Sequence, residues 1–487
     1  MKRETKPVLW YRKVFSILIG VYLIFSSIQL AGFGETDNEK TTPQSERKQK
    51  TEFSLADIDK LTKEVGKLRG LDFKNPVKSG IKTREELKQR IIADFEKEVA
   101  PEEIIKNQKA LIKLGLIPKD TDLKKLMTDL LAEQIVGFYD PKDKELYLIK
   151  PRKDDEPPKD AELIEQNFGI PYYYITVVHE LTHALQDQYF DLLTLPSQNN
   201  ENDDLATAVK AVVEGEATFM MYYYLLRKIG QDITLIPDVS KASGVPPTSG
   251  MEVINKESPY IKEGLLFPYI QGLGFIHRVK AAGGWSAVTK LYDKLPASTE
   301  QILHPEKYLG ENPDYPIEVK LPDFVTILPA EEWELLLKDT LGEFNIEILL
   351  REFIPNLRTK EIAEGWGGDQ FAVYENKKSH EIIVVWFLTW DTAKDATEFT
   401  EAYYKLISKK YAGYDIVNQT ESETAWANGE NVIYLEQKGK NVIIIETVAQ
   451  KLLSPLLVKV SNDTKCTELK EVKRIIPAKD KKNTQKF

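Results

Sequence analysis

Residues 175–190 read ITVVHELTHALQDQYF, and at their centre His179-Glu180-Leu181-Thr182-His183 forms an HExxH motif. No Gly or Pro falls between Tyr172 and Leu195, so one unbroken helix is allowed. Val178, Leu181 and Leu185 supply the apolar stripe that docks such a helix on a core. Four positions turn a helix by about 400°, so His179 and His183 lie one above the other, ~6 Å apart at their roots. Two neutral imidazoles at that spacing can grip one divalent ion, and zinc suits them best. Glu180 is turned about 100° away, badly placed as a ligand but well placed to take a proton from a water on the same ion. The plain alternative is a structural helix whose histidines are satisfied by Gln186 and Asp187.

A zinc held by two histidines needs a third protein ligand. The next helical pattern, residues 204–228, reads DLATAVKAVVEGEATFMMYYYLLRK and offers Glu214 and Glu216. They sit about 200° apart on a helix, so only one can face the ion. Glu214 shares its side with Thr207, Ala211 and Thr218, next to Ala208 and Gly215, and small residues let helices approach closely. Glu216 lies among Val209, Val212, Phe219 and Met220. The preference is Glu214, with Glu216 left open.

HELTH followed thirty-one positions after His183 by Glu214-Gly215-Glu216-Ala217 resembles the gluzincin class of zinc metallopeptidases. The resemblance covers roughly residues 170–230. It implies a zincin-like fold, peptide or protein substrates, one zinc per chain held by His179, His183 and Glu214, and Glu180 as general base. Thermolysin-like members carry an aspartate four positions after the ligand glutamate, where this chain has Thr218. That leaves Asp187 as another outer partner for His179. No third histidine stands in the metzincin position. Peptide cleavage also needs a donor for the oxyanion. The run STEQILHPEKY offers His304 and Tyr308, with Tyr269 and His277 next in line.

Outward from the motif, the reading is α+β. A mostly helical metallopeptidase domain with a small β-hairpin spans 54–325, and a smaller domain, an antiparallel sheet plus helix, spans 326–475. Helical patterns run at 84–99, 102–114, 122–135, 172–193, 204–228 and 264–295, the last broken at Gly283-Gly284. Gly137 to Asp140, a turn of Asp140-Pro-Lys-Asp-Lys, and Glu145 to Ile149 predict a hairpin that can supply a sheet edge for substrate. A helix is expected at 332–352, a tight turn at Gly365 to Asp369, and strands at 371–374, 381–390, 424–436 and 440–448 around a helix at 393–411.

Residues 1–34 combine a basic start with an apolar run from Val14 to Phe33, which reads as an export signal or a membrane anchor through residues 14–33. Residues 35–53 are a polar linker, and 476–487 a loose basic tail. The chain is therefore expected outside the cytoplasm. The 66 Lys and Arg against 76 Asp and Glu give a net charge of −10, which argues against nucleic acid as a partner. One cysteine, Cys466, excludes an internal disulfide and any multi-cysteine metal site. The functional expectation is an exported zinc peptidase. Its rivals are a non-catalytic surface or periplasmic binding protein on a peptidase scaffold, and a zinc hydrolase of non-peptide substrates.

Overall fold

The computed structural model describes residues 55–133, 137–149, 165, 166, 168–171, 173–197, 202–236, 239 and 253–475. The segments read as an export signal or anchor, a polar linker and a basic tail lie outside the described residues. Helices α1 (Leu55–Arg69), α2 (Arg84–Glu98), α3 (Pro101–Leu114) and α4 (Leu123–Glu133) come first, with β1 (Lys78–Lys82) between α1 and α2. The hairpin β2 (Gly137–Asp140) and β3 (Glu145–Ile149) follows, then the motif helix α5 (Tyr173–Phe190), α6 (Asp203–Lys228) and α7 (Pro259–Leu291).

Local chemistry accounts for several of these boundaries. Thr83 and Glu86 form a capping box at α2, and α3 starts on Pro101 and ends at left-handed Gly115. The Asn202 side chain accepts from the Leu205 N–H at the start of α6. In α7, Gly283 and Gly284 leave the helical region where the sequence predicts a break.

The first sheet has the order β1-β3-β2, with β1 parallel and β2 antiparallel to β3. The hairpin is as expected; β1 is not. Its sequence, KSGIK, is largely polar with little burial, so no alternation marks it as a strand. It borrows order from β3.

After short helices α8 (Thr299–Leu303) and α9 (Pro305–Leu309) and strand β4 (Ile317–Lys320), the chain enters a seven-stranded antiparallel sheet. Its elements are β5 (Trp333–Asp339), α10 (Gly342–Phe353), α11 (Thr359–Ala363), β6 (Trp366–Asn376), β7 (Ile382–Trp390), α12 (Ala393–Lys410), β8 (Asp415–Gln419), β9 (Glu423–Asn428), β10 (Asn431–Lys438) and β11 (Asn441–Ala449). The strand order is β5-β6-β7-β11-β10-β9-β8. α13 (Gln450–Asp463) and β12 (Lys465–Glu468) follow, and β12 pairs with β4.

The α+β class holds. The helix expected over 332–352 is instead strand β5 followed by helix α10. Three consecutive leucines at 335–337 fit either period, and pairing of β5 with β6, across a bulge at Leu335/Leu337, decides for the strand. The sheet is also backed on both faces rather than one. Phe371, Trp386, Leu388 and Ile444 join α10 and α12 in one core, while Ala372, Phe387, Ile443 and Ile445 face Leu456 and Val460 of α13.

That first core is continuous with the helical part and takes in residues of α2 to α4, α6 and α7. Within the sheet part, Asp369 fixes α10 to the sheet. Its carboxylate accepts from the backbone N–H groups of Leu341 and Gly342 at the start of α10, and from the indoles of Trp366 and Trp386, at 2.9–3.1 Å. The stretch expected as a tight turn, Gly365 to Asp369, is instead the start of strand β6 from Trp366, with a bulge between Trp366 and Gly368, and its Asp369 anchors a helix N-terminus.

The tightest contact in the helical part is the crossing of α6 and α7. A Cβ on Gly215 would overlap the Gly272 carbonyl and come within 2.7 Å of its Cα; one on Gly272 would strike the Ala211 carbonyl. The small residues on this side of α6 therefore serve contact with α7. Gly272→Ala is expected to force the helices apart and cost about 2–3 kcal/mol of stability, read by denaturant unfolding. A loss within 0.5 kcal/mol of zero, roughly the scatter of surface substitutions, would show that the crossing is not tight.

Candidate metal centre

α5 is buried on all sides from Tyr174 to Asp187, not only along the apolar stripe. Its polar side chains must therefore find partners within the protein. Thr182 donates to the Val178 carbonyl at 2.7 Å. Glu180 Oε2 accepts the Tyr139 backbone N–H at 2.7 Å, from edge strand β2. Asp187 accepts the Tyr139 hydroxyl at 2.9 Å and the Leu192 N–H at 3.1 Å. It braces the hairpin and does not serve a histidine. His183 Nδ1 meets Gln186 Oε1 at 2.8 Å.

What remains is the cluster expected from the sequence. His179 Nε2 and His183 Nε2 are 3.0 Å apart, and each lies 3.3 Å from Glu214 Oε2. The three residues expose 1%, 9% and 4% of their surface. Glu214 Oε2 has no hydrogen-bond partner among the described residues. Three ligand atoms at ~2.0–2.2 Å from one tetrahedral zinc would be about 3.3–3.6 Å apart. The donor types and their spacing fit such an ion, and a buried acceptor without a donor is what a cation would satisfy.

Glu216, the other carboxylate weighed for this place, faces elsewhere. It pairs with Arg69 from α1, and both side chains are 1% exposed. It also accepts from Tyr292 and, at 3.1 Å, from Gln186 Nε2. The periodicity of α6 separates the two glutamates, as expected, but nothing in the sequence marks Arg69, some 147 positions away, as the partner of one of them.

Charge in the cluster is coupled. Burial drives His179 down to about 4. Burial opposes the charge on His183 too, yet Glu214 at 3.3 Å and nearby Glu180 win and lift it to about 9. Burial likewise opposes a charged Glu214, but the two imidazoles hold it at about 2. Glu180 is pushed by burial up to about 8, against the pull of His183 and the Tyr139 N–H. Without an ion, the cluster holds a proton on His183 against the Glu214 carboxylate.

The structure does not bring His304 and Tyr308 to this cluster. His304 Nε2 engages Glu343 at 2.8 Å, and the Tyr308 hydroxyl donates to the Lys294 carbonyl at 2.5 Å. Helix α8, which leads into His304, docks through Thr299 on Asp204, in the first turn of α6. Glu214 is ten residues further along, ~15 Å by the helical rise. Both residues therefore hold a junction between helices. His277 is packed and buried beside Phe219. Tyr269 does reach the centre, its ring stacked on His179 with centroids 6.3 Å apart.

His179 Nδ1 and Thr218 Oγ1 are buried and have no hydrogen-bond partner among the described residues. A second acidic group, Glu300, Asp314 and Asp391, surrounds Lys307 at 2.5–3.5 Å, so its charge is already met. Sequence reasoning missed Tyr139 as the partner of Glu180, because that contact uses a backbone N–H, which every non-proline residue has.

Among known proteins, a family described as a domain of unknown function, DUF8575, matches residues 334–456, about a quarter of the chain. That stretch runs from β5 into α13 and contains none of the three clustered donors. No curated protein and no solved structure matches the chain.

Proposed function

We propose that the chain is an exported, zinc-dependent metallopeptidase in which His179, His183 and Glu214 hold one zinc and Glu180 acts as general base. The observation that carries this reading is the triangle of donor atoms at 3.0, 3.3 and 3.3 Å inside the protein, with Glu180 on the same helix. The gluzincin resemblance of HELTH and EGEA supports peptide bonds as the substrate. The basic and apolar N-terminal residues support export, with retention through residues 14–33 as the anchored form. No described helix is long and apolar enough to cross a membrane.

A bound zinc supplies Lewis acidity, lowering the pKa of water towards ~7 and polarising the scissile carbonyl. Glu180 supplies the proton traffic. Its Oε2 is held by the Tyr139 N–H, which aims the carboxylate and leaves the other oxygen to accept a proton from the attacking water. The same carboxyl then delivers that proton to the leaving amine nitrogen. Burial raises Glu180 to about 8 in the metal-free protein, and a bound cation nearby would lower it towards the carboxylate form that a base requires. Because β2 is the sheet edge and its Tyr139 N–H is committed to Glu180, an extended substrate would lie beside the base.

Glu180→Gln is expected to keep about one zinc per chain by metal analysis and to lose about 10²–10⁴-fold in peptide hydrolysis. Hydrolysis at the wild-type rate would remove Glu180 from its role. Zinc uptake should also be linked to pH. His183, lifted to about 9 in the metal-free cluster, must shed its proton to bind metal. At pH 7 at least one proton should therefore leave on binding. Affinity should rise about tenfold or more per pH unit until about 9. Calorimetry in buffers of different ionisation enthalpy reads the proton count, and a count of zero would contradict the site.

A further inference from the structure

Arg69, Glu216, Tyr292 and Gln186 form a buried polar chain that ends on His183, and none of the four is among the clustered donors. The Gln186 amide sits at its centre. Its Nε2 lies 3.1 Å from Glu216 Oε2, 3.0 Å from the Val213 carbonyl and 2.9 Å from the Tyr292 hydroxyl. As the ion-pair partner of Arg69, Glu216 only accepts hydrogen bonds, as does the Val213 carbonyl. The Tyr292 hydroxyl spends its proton on Glu216, so it too accepts from the amide. The amide must therefore present its nitrogen to this group and its oxygen to the ring. Gln186 Oε1, 2.8 Å from His183 Nδ1, can only accept, so Nδ1 carries the hydrogen. The lone pair is then on Nε2, the atom that faces His179 and Glu214.

We infer that Glu216 is a positioning residue: together with the Val213 carbonyl it orients Gln186 and so, two hydrogen bonds away, selects the tautomer of His183 that can bind metal, and Arg69 holds Glu216 in place. His179 has no such device, since its Nδ1 lacks a partner among the described residues. The two histidines are therefore not equivalent: once neutral, His183 is the ring whose tautomer is fixed. The inference deepens the zinc-peptidase reading and rests on it only for the expected change in zinc affinity.

The test is a ring ¹⁵N NMR spectrum of the metal-free chain at about pH 10, where imidazoles are neutral, together with zinc affinity by chelator competition. Wild type should show a single Nδ1–H form at His183. Gln186→Met keeps the Arg69–Glu216 pair and the side-chain length. It should mix the two tautomers and weaken zinc binding about ten- to a hundredfold. The double variant Arg69→Met/Glu216→Gln removes both charges together, leaves only the Val213 carbonyl to orient the amide, and should move part of the His183 population towards Nε2–H. Glu216→Asp, with Arg69 intact, should restore the Nδ1–H form.

A wild-type His183 spectrum in Gln186→Met or in the double variant overturns the proposal, and either variant decides if the other fails to fold. The spectra are of metal-free protein. A wild-type chain that takes up no zinc would thus sink the peptidase reading while the ring shifts still judge this one.

Discussion

Glu214 is a carboxylate inside the protein, 4% exposed, with two imidazole nitrogens 3.3 Å away and one oxygen that has no hydrogen-bond partner among the described residues. Burying such a group is costly unless positive charge meets it. Without an ion, a proton on His183 supplies that charge; a divalent cation would supply more and would also satisfy the orphaned oxygen. The rest of the centre follows from where this one side chain is held. It is held by the crossing of α6 with α7, where Gly215, the next residue, lies directly against Gly272. Backbone contact at that point leaves α6 little freedom to slide or roll. The carboxylate one residue away is thus fixed relative to α5.

The two acidic residues of the EGEA segment divide the work because helical geometry points them apart. Glu214 faces the two histidines and Glu216 faces Arg69. One negative charge is left for a mobile partner and the other is neutralised by the fold itself. The same logic separates the polar groups of α5. Thr182, Gln186 and Asp187 are each paired within the protein, while the ring nitrogens of His179 and His183 converge on Glu214. Hydrogen bonds made elsewhere on the helix keep these atoms available to one another.

Much of this was legible in the chain, for reasons that can be stated. The spacing of His179, Glu180 and His183 is a local property of a helix, and the absence of breakers from 173 to 194 allows one there. The alternative assignment of Glu214 or Glu216 was legible too, since two positions on a helix cannot share a face. Strand β5 and the two-sided sheet were not, because Leu335 to Leu337 satisfy both periods and only pairing with β6 separates them. His304 and Tyr308 looked available because their residue types suit an oxyanion. Glu343 and the Lys294 carbonyl occupy them.

The sequence by itself determined which residues can meet an ion along α5, because neighbours four positions apart on a helix have no choice of placement. It also determined that one acid of α6 must turn away when the other turns in. Only the tertiary structure decided which acid that was, what partner the rejected one took, and which backbone N–H holds Glu180. Those outcomes depend on contacts between segments far apart in the chain, from Arg69 to Tyr292. Chain proximity carries no information about them, and packing against α1, α7 and the hairpin supplies it.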